Sequence, residues 1–149
     1  MAQNPNLFHH ILVPTDGSEP SIAAGKLAVQ LAACQEAVLT FVYVVDDRVA
    51  DGLAGAPGQE AGQIQGNLEQ SARRYLDYLS RLAAGAGLIA NQTIRKGEPY
   101  REITALAREQ QVDLIVIGQV GSRGLRRILI GSVTERVIEH SLCPVLVVK

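Results

Sequence analysis

Short apolar runs alternate with segments of helical periodicity along most of the chain. Ile11-Leu12-Val13 is the first run, and the polar stretch Pro14-Thr15-Asp16-Gly17-Ser18 closes it. From Glu19 to Cys34 the apolar positions Ala23, Leu27, Leu31 and Cys34 recur at helical spacing, which predicts a helix with that face inward. Ser18 is its expected N-cap, since Pro20 is tolerated in a first turn. Val38 to Val45, rich in β-branched and aromatic side chains, predicts a second strand. Asp46 to Gly66 holds five Gly and one Pro among small and polar residues, and is expected to be a mobile surface loop. Leu68, Ala72, Tyr75, Leu76, Leu79, Leu82 and Ala83 then trace one face of a long helix that Gly85 and Gly87 stop. A third strand is expected over Leu88 to Ile94. Gly97-Glu98-Pro99 turns the chain into a helix carrying Ile103, Leu106 and Ala107. Leu114 to Ile117 predicts a fourth strand, Ser132 to His140 a fourth helix, and Val145 to Val148 a fifth strand.

Strands alternating with helices predict an α/β fold around a parallel sheet. The runs Ile11–Val13, Leu114–Ile117 and Val145–Val148 are uniformly apolar, the mark of strands covered by helices on both faces. With 149 residues the chain has the size of one domain, 1–149, and no linker or repeat divides it. Aromatic residues make up only 4%, so aliphatic side chains and Ala must fill the core.

Composition removes several function classes. Fourteen Lys and Arg against fifteen Asp and Glu give a net charge of −1, which argues against nonspecific nucleic-acid binding. No apolar stretch is long enough to span a membrane, and Met1 to His10 has no apolar signal-peptide core. Cys34 and Cys143 form no metal-spacing motif and are expected to be buried thiols, so the cytoplasm is the expected compartment.

In an open parallel sheet, ligands bind beyond the carboxyl ends of strands where the strand order reverses. The segment after the fourth strand is the informative one: Gly118-Gln119-Val120-Gly121, nine further residues, then Gly131-Ser132 at a helix start. Glycines there let backbone N–H groups approach an anion, and a helix N-terminus suits a phosphate. Arg123, Arg126 and Arg127 fall in this segment with no acidic residue beside them, although a solvated face explains Arg126 and Arg127 equally well. Each of the other candidates also has a structural explanation. Ser132-Val133-Thr134-Glu135 reads as a capping box, which accounts for Ser132 without any ligand. Asp16 could cap a turn or the first helix, and Gly118 could be a simple strand-end turn. His9 and His10 alternate faces and do not chelate one metal easily. Asp46-Asp47 resembles a receiver-type acidic pair but follows the wrong strand. The sequence has neither a Gly-x-x-x-x-Gly-Lys-Ser/Thr phosphate loop nor a Gly-x-Ser-x-Gly elbow, so binding is better supported than efficient turnover.

The chain resembles the universal stress protein family in its nucleotide-binding branch. The resemblance rests on Ile11-Leu12-Val13-Pro14-Thr15-Asp16-Gly17-Ser18, Gly97-Glu98-Pro99, Asp113-Leu114-Ile115-Val116-Ile117-Gly118, the Gly segment, Gly131-Ser132-Val133-Thr134-Glu135 and Cys143-Pro144-Val145-Leu146-Val147-Val148. It runs from His10 to Lys149 and departs at Val120, where the family commonly carries His or Arg. It implies a Rossmann-like sheet in the order 3-2-1-4-5 with ATP, carried with Mg²⁺, at the ends of strands 1 and 4. It puts Pro14, Thr15 and Val44 near the adenine, and Asp16 near the ribose. Gly118, Gly121, Gly131, Ser132, Val133 and Thr134 would surround the phosphates. It also implies a homodimer paired through the last strand, which matches the bare apolar edge that Val145 to Val148 would form.

Two functions follow from different classes. One is an ATP-binding signalling or stress-response module with at most slow hydrolysis. The other is a homodimeric protein-interaction module whose Gly segment is purely structural.

Overall fold

Uniformly apolar strands have no polar face to offer water, so they form a sheet only when helices cover both sides. The computed structural model describes residues 6–48, 61–120 and 129–149 and has that architecture. The elements are β1 (His10–Pro14), α1 (Glu19–Gln35), β2 (Val38–Val45), α2 (Ala61–Gly85), β3 (Ala90–Lys96), α3 (Pro99–Glu109), β4 (Leu114–Gly118), α4 (Ser132–His140) and β5 (Val145–Val148). All five strands are parallel, in the order β3-β2-β1-β4-β5.

The pleat divides the core in two. Ile11, Val13, Leu39, Phe41, Leu114 and Val116 pack with α1 and α2 on one face. Leu12, Val42, Ile115 and Ile117 pack with Ile103, Leu106 and Val137 of α3 and α4 on the other. Among the described residues no helix is long and apolar enough to cross a membrane.

Four local expectations are corrected. Helix α1 does not bury the stripe Ala23, Leu27, Leu31 and Cys34. It buries Ser21, Ala24, Gly25, Ala28, Val29 and Ala32, leaving Leu27 and Cys34 exposed. Small side chains let the helix axis approach the sheet and Leu79 of α2 closely, and that contact outweighs the burial of two larger side chains. Cys143 is only half-buried, so neither thiol is fully buried. Strand β3 starts and ends two residues later than its apolar pattern predicts. The Leu88 N–H is used to close α2 on the Ala83 carbonyl, and the strand continues through Arg95 and Lys96 opposite Val44 and Val45. Those two cations reach carboxylates, Arg95 on Glu102 and Glu109 and Lys96 on Glu69. Helix α2 begins at Ala61, so the expected loop gives way to helix there; residues 49–60 lie outside the described residues.

The amino ends of the strands are sealed by side chains that bind backbone. Asp113 accepts from the N–H groups of His9 (2.8 Å) and His10 (2.9 Å), and its carboxylate also meets the His9 ring at 3.1 Å. The His10 ring instead contacts Thr40 Oγ1 and the Gln110 carbonyl, so the two imidazoles have separate partners. At the carboxyl end, α1 crosses β4 at Gly118. A Cβ there would lie 2.8 Å from the carbonyl carbon of Pro20 and 2.9 Å from the Ser21 nitrogen. Backbone occupies that space, so the first turn of α1 fits on β4 only over a glycine.

Gly118→Ala is expected to lower stability by about 1–3 kcal/mol through overpacking, measured by urea unfolding. A second expectation concerns acid. Partial burial pushes the Asp113 carboxyl up, but the His10 and His9 N–H groups and the His9 ring outweigh it and hold the pKa below its ordinary value. A depressed folded-state pKa contributes stability above the unfolded-chain value of about 3.9, and that contribution is lost as pH falls through the folded value. Asp113→Asn should therefore lower Tm at neutral pH and flatten the loss of Tm below about pH 4, read from melting curves across the acid range.

Candidate functional site

Strand order reverses between β1 and β4: the chain leaves β1 toward α1 on one face and leaves β4 toward α4 on the other. The crevice between those exits is a cavity of about 350 Å³. Pro14, Thr15, Asp16, Val44, Gly118, Gly131, Ser132, Val133 and Thr134 all line it, together with Val120. Of the residues anticipated for a site, Gly121 lies outside the described residues, as do Arg123, Arg126 and Arg127.

The β1 side is built by a chain of short polar contacts. The Thr15 N–H donates to the Val42 carbonyl (2.9 Å), pinning the exit of β1 to β2. The Ser21 hydroxyl donates to the Ser18 carbonyl (2.9 Å), so the Thr15 hydroxyl, 3.1 Å away, donates to Ser21 Oγ. The Ser18 side chain accepts from the Ser21 N–H and caps α1 as expected. Asp16 Oδ1 accepts from the Ser18 N–H at 3.0 Å, so its turn-forming role is real, and Asp16 also lines the cavity. Gly17 makes this turn possible: it has φ +80°, and any Cβ would sit 2.3 Å from the Tyr75 ring. Tyr75 in turn stacks on Tyr43, with centroids 6.4 Å apart and planes within 2°. Tyr43 lines the cavity, and burial, then the Asp16 charge and Tyr75, hold its phenol above its ordinary pKa.

The β4 side contains a correction. Ser132 is not the N-cap of α4. Gly131 occupies that position, with φ −68° and ψ 155°, and among the described residues no side chain caps the helix. The capping-box account of Ser132 therefore fails. Ser132 is the first helical residue and is exposed, and the first-turn N–H groups of α4 have no intrahelical acceptors. Thr134 is buried and donates its hydroxyl to the Gly118 carbonyl at 2.7 Å, fastening α4 to the end of β4. The Gly131 N–H donates to the Gln119 carbonyl (2.7 Å), which brings the two ends of the Gly-bearing segment together.

The remaining wall comes from residues that spacing alone did not reveal. Pro99 and Ile103 of α3 and Leu68 of α2 add apolar surface, and Asp46 and Arg48 add charge just beyond β2. Arg48 donates from Nε and Nη2 to the two carboxylate oxygens of Asp46, at 3.2 and 3.1 Å. That hydrogen bonding and the Asp46 charge raise the Arg48 pKa. A charged pair directly after a strand end was the available signal for these two. Tyr43 offered none, because its neighbours in β2 face the opposite core. The whole arrangement is apolar in its middle, with a helix N-terminus at one end and carboxylates and hydroxyls at the other. It suits a ligand with an anionic end and a neutral, partly apolar body.

Known proteins share this chain's pattern over its full described length. The model of the Universal stress protein family matches residues 7–149. Universal stress protein MJ0531 of Methanocaldococcus jannaschii is 37% identical over 145 residues, 97% of this chain and 84% of that protein. The structure of the M. jannaschii protein MJ0577 superposes with a TM-score of 0.84 at 30% identity, over 96% of both chains. A universal stress protein in complex with cAMP aligns with a TM-score of 0.69 at 27% identity, over 95% of this chain and 96% of that one. The chain belongs to the universal stress protein family.

Proposed function

We propose that this protein is a stress-response module that binds Mg-ATP in the cavity at the carboxyl ends of β1 and β4, as a binding protein rather than an efficient ATPase. The observation that carries this reading is the convergence of a helix N-terminus, headed by Gly131, and the β1 exit on one cavity of about 350 Å³. The cAMP complex of a relative supports a nucleotide as the class of ligand. Gly118, Gly131, Ser132, Val133 and Thr134 would surround the phosphates, with Gly121 completing the segment. Asp16 would meet the ribose, and Pro14, Thr15 and Val44 the adenine. Mg²⁺ would arrive on the nucleotide. Cys34 and Cys143 are both free thiols, which suits a reducing compartment, and we place the protein in the cytoplasm.

A ligand that binds only the folded state adds about 2.7 kcal/mol at one hundred times its Kd. For a domain of this size that raises Tm by roughly 5–10 °C. Gly131→Val adds a branched side chain at a cavity-lining position whose φ any residue adopts, and should abolish the shift. Asp16→Ala should weaken adenosine as well as ATP. If millimolar Mg-ATP leaves Tm and every spectroscopic signal of the unaltered protein unchanged, the Gly segment is structural and the interaction-module reading replaces this one.

The same reading includes a homodimer through β5. This strand is a sheet edge, and Leu146 on it is exposed while Val145 and Val147 pack into the α3–α4 core. Leu146 is thus the residue to change, although its place in an apolar run suggests core. Leu146→Arg should yield a monomer by light scattering at micromolar concentration with Tm little changed; an unaltered protein that is already monomeric there would refute the pairing.

A further inference from the structure

Glu98 gathers cations from three elements on the rim of the cavity. It is the N-cap of α3 and directly precedes the cavity-lining Pro99, yet its side chain makes no capping hydrogen bond. Its carboxylate instead meets Arg101 Nε at 2.8 Å, Arg48 Nη1 at 3.5 Å and Arg136 Nη1 at 3.8 Å. Arg48 belongs to the cavity wall. Arg136 lies four residues beyond Ser132, on the same face of α4, and its guanidinium sits 5.1 Å from the centroid of the Tyr100 ring. Asp46, which binds Arg48, and Asp47, whose charge also acts on it, bring the cluster to three guanidinium groups and three carboxylates. Glu98 thus holds both the wall arginine and an arginine one turn beyond Ser132 on α4.

A carboxylate in that place does more than order a helix start. A phosphate chain at the α4 N-terminus would lie within Coulombic range of the same two arginines, and Glu98 would compete with it for them. We propose that Glu98 is a specificity-determining residue: it occupies Arg48 and Arg136 and so limits how strongly the cavity favours a polyphosphate nucleotide over its nucleoside. This inference rests on the nucleotide reading above. A purely structural Glu98 would change stability and leave that preference alone.

The test measures the affinities of Mg-ATP and adenosine by titration calorimetry, at low and at high salt, for the unaltered protein, Glu98→Gln and Arg136→Gln. Glu98→Gln should raise the ratio of ATP to adenosine affinity about threefold or more at low salt, and high salt should shrink the gain. Arg136→Gln keeps Glu98 and alters an exposed side chain, so it stays informative even if Glu98→Gln folds poorly, and it should lower the ratio. If the unaltered protein binds ATP and neither variant changes the ratio, this inference fails while the nucleotide reading stands. A parallel loss of both ligands in Glu98→Gln also overturns it, because Glu98 would then only shape the wall. An unaltered protein that takes neither ligand overturns both readings.

Discussion

The contact on which the site depends is the seating of the first turn of α1 on Gly118. At this point a helix from one face of the sheet touches the end of a strand whose next element belongs to the other face. On one side of Gly118 is the backbone of Pro20 and Ser21; on the other, its carbonyl receives the Thr134 hydroxyl. One residue without a side chain thus joins α1, β4 and α4. The crevice has a fixed width because both of its walls are fastened to that residue. Thr15 extends the same fastening to β2, its N–H bonded to the Val42 carbonyl at 2.9 Å while its hydroxyl meets Ser21 of α1.

The two ends of the sheet are finished in opposite ways. At the amino end, side-chain acceptors take up backbone N–H groups: Asp113 serves His9 and His10, and Gln35 serves Leu7 and Phe8. Thr40, fully buried, is reached by the His10 ring. At the carboxyl end the first turn of α4 receives no side-chain cap among the described residues, and Thr15 and Asp16, just beyond β1, face a cavity instead. Backbone donors are thus met by side chains at the amino end, whereas the carboxyl end opens onto a cavity.

Much of this was legible in the sequence, and the failures have physical causes. Strands β1 and β4 announce themselves as unbroken apolar runs because both of their faces are buried, whereas β5 is an equally apolar run that leaves Leu146 exposed. The phosphate-suited end shows as glycines before a helix start, since backbone approach requires them. The adenine contacts that the family resemblance implies carried no such signal, because Pro14, Thr15 and Val44 are marked only by their position at strand ends. The inward face of α1 was misjudged because size, not hydrophobicity, chose it: Ala24, Gly25 and Ala28 permit an approach that Leu27 would block. Ser132 looked like a cap because the pattern fits, but the helix starts one residue earlier than a Ser132 cap requires. Glu98 and its arginines come from three distant stretches and meet only once the crossovers are made.

The two edges of the sheet are chemically unlike, and this sets a limit on growth. Strand β5 offers an apolar edge with Leu146 turned outward, whereas β3 carries Asn91, Gln92, Arg95 and Lys96, with both cations engaged by acids of α2 and α3. A strand that docks on β5 finds no matching invitation on β3. A copy that paired through β5 would therefore close a two-fold pair rather than propagate head to tail into a filament.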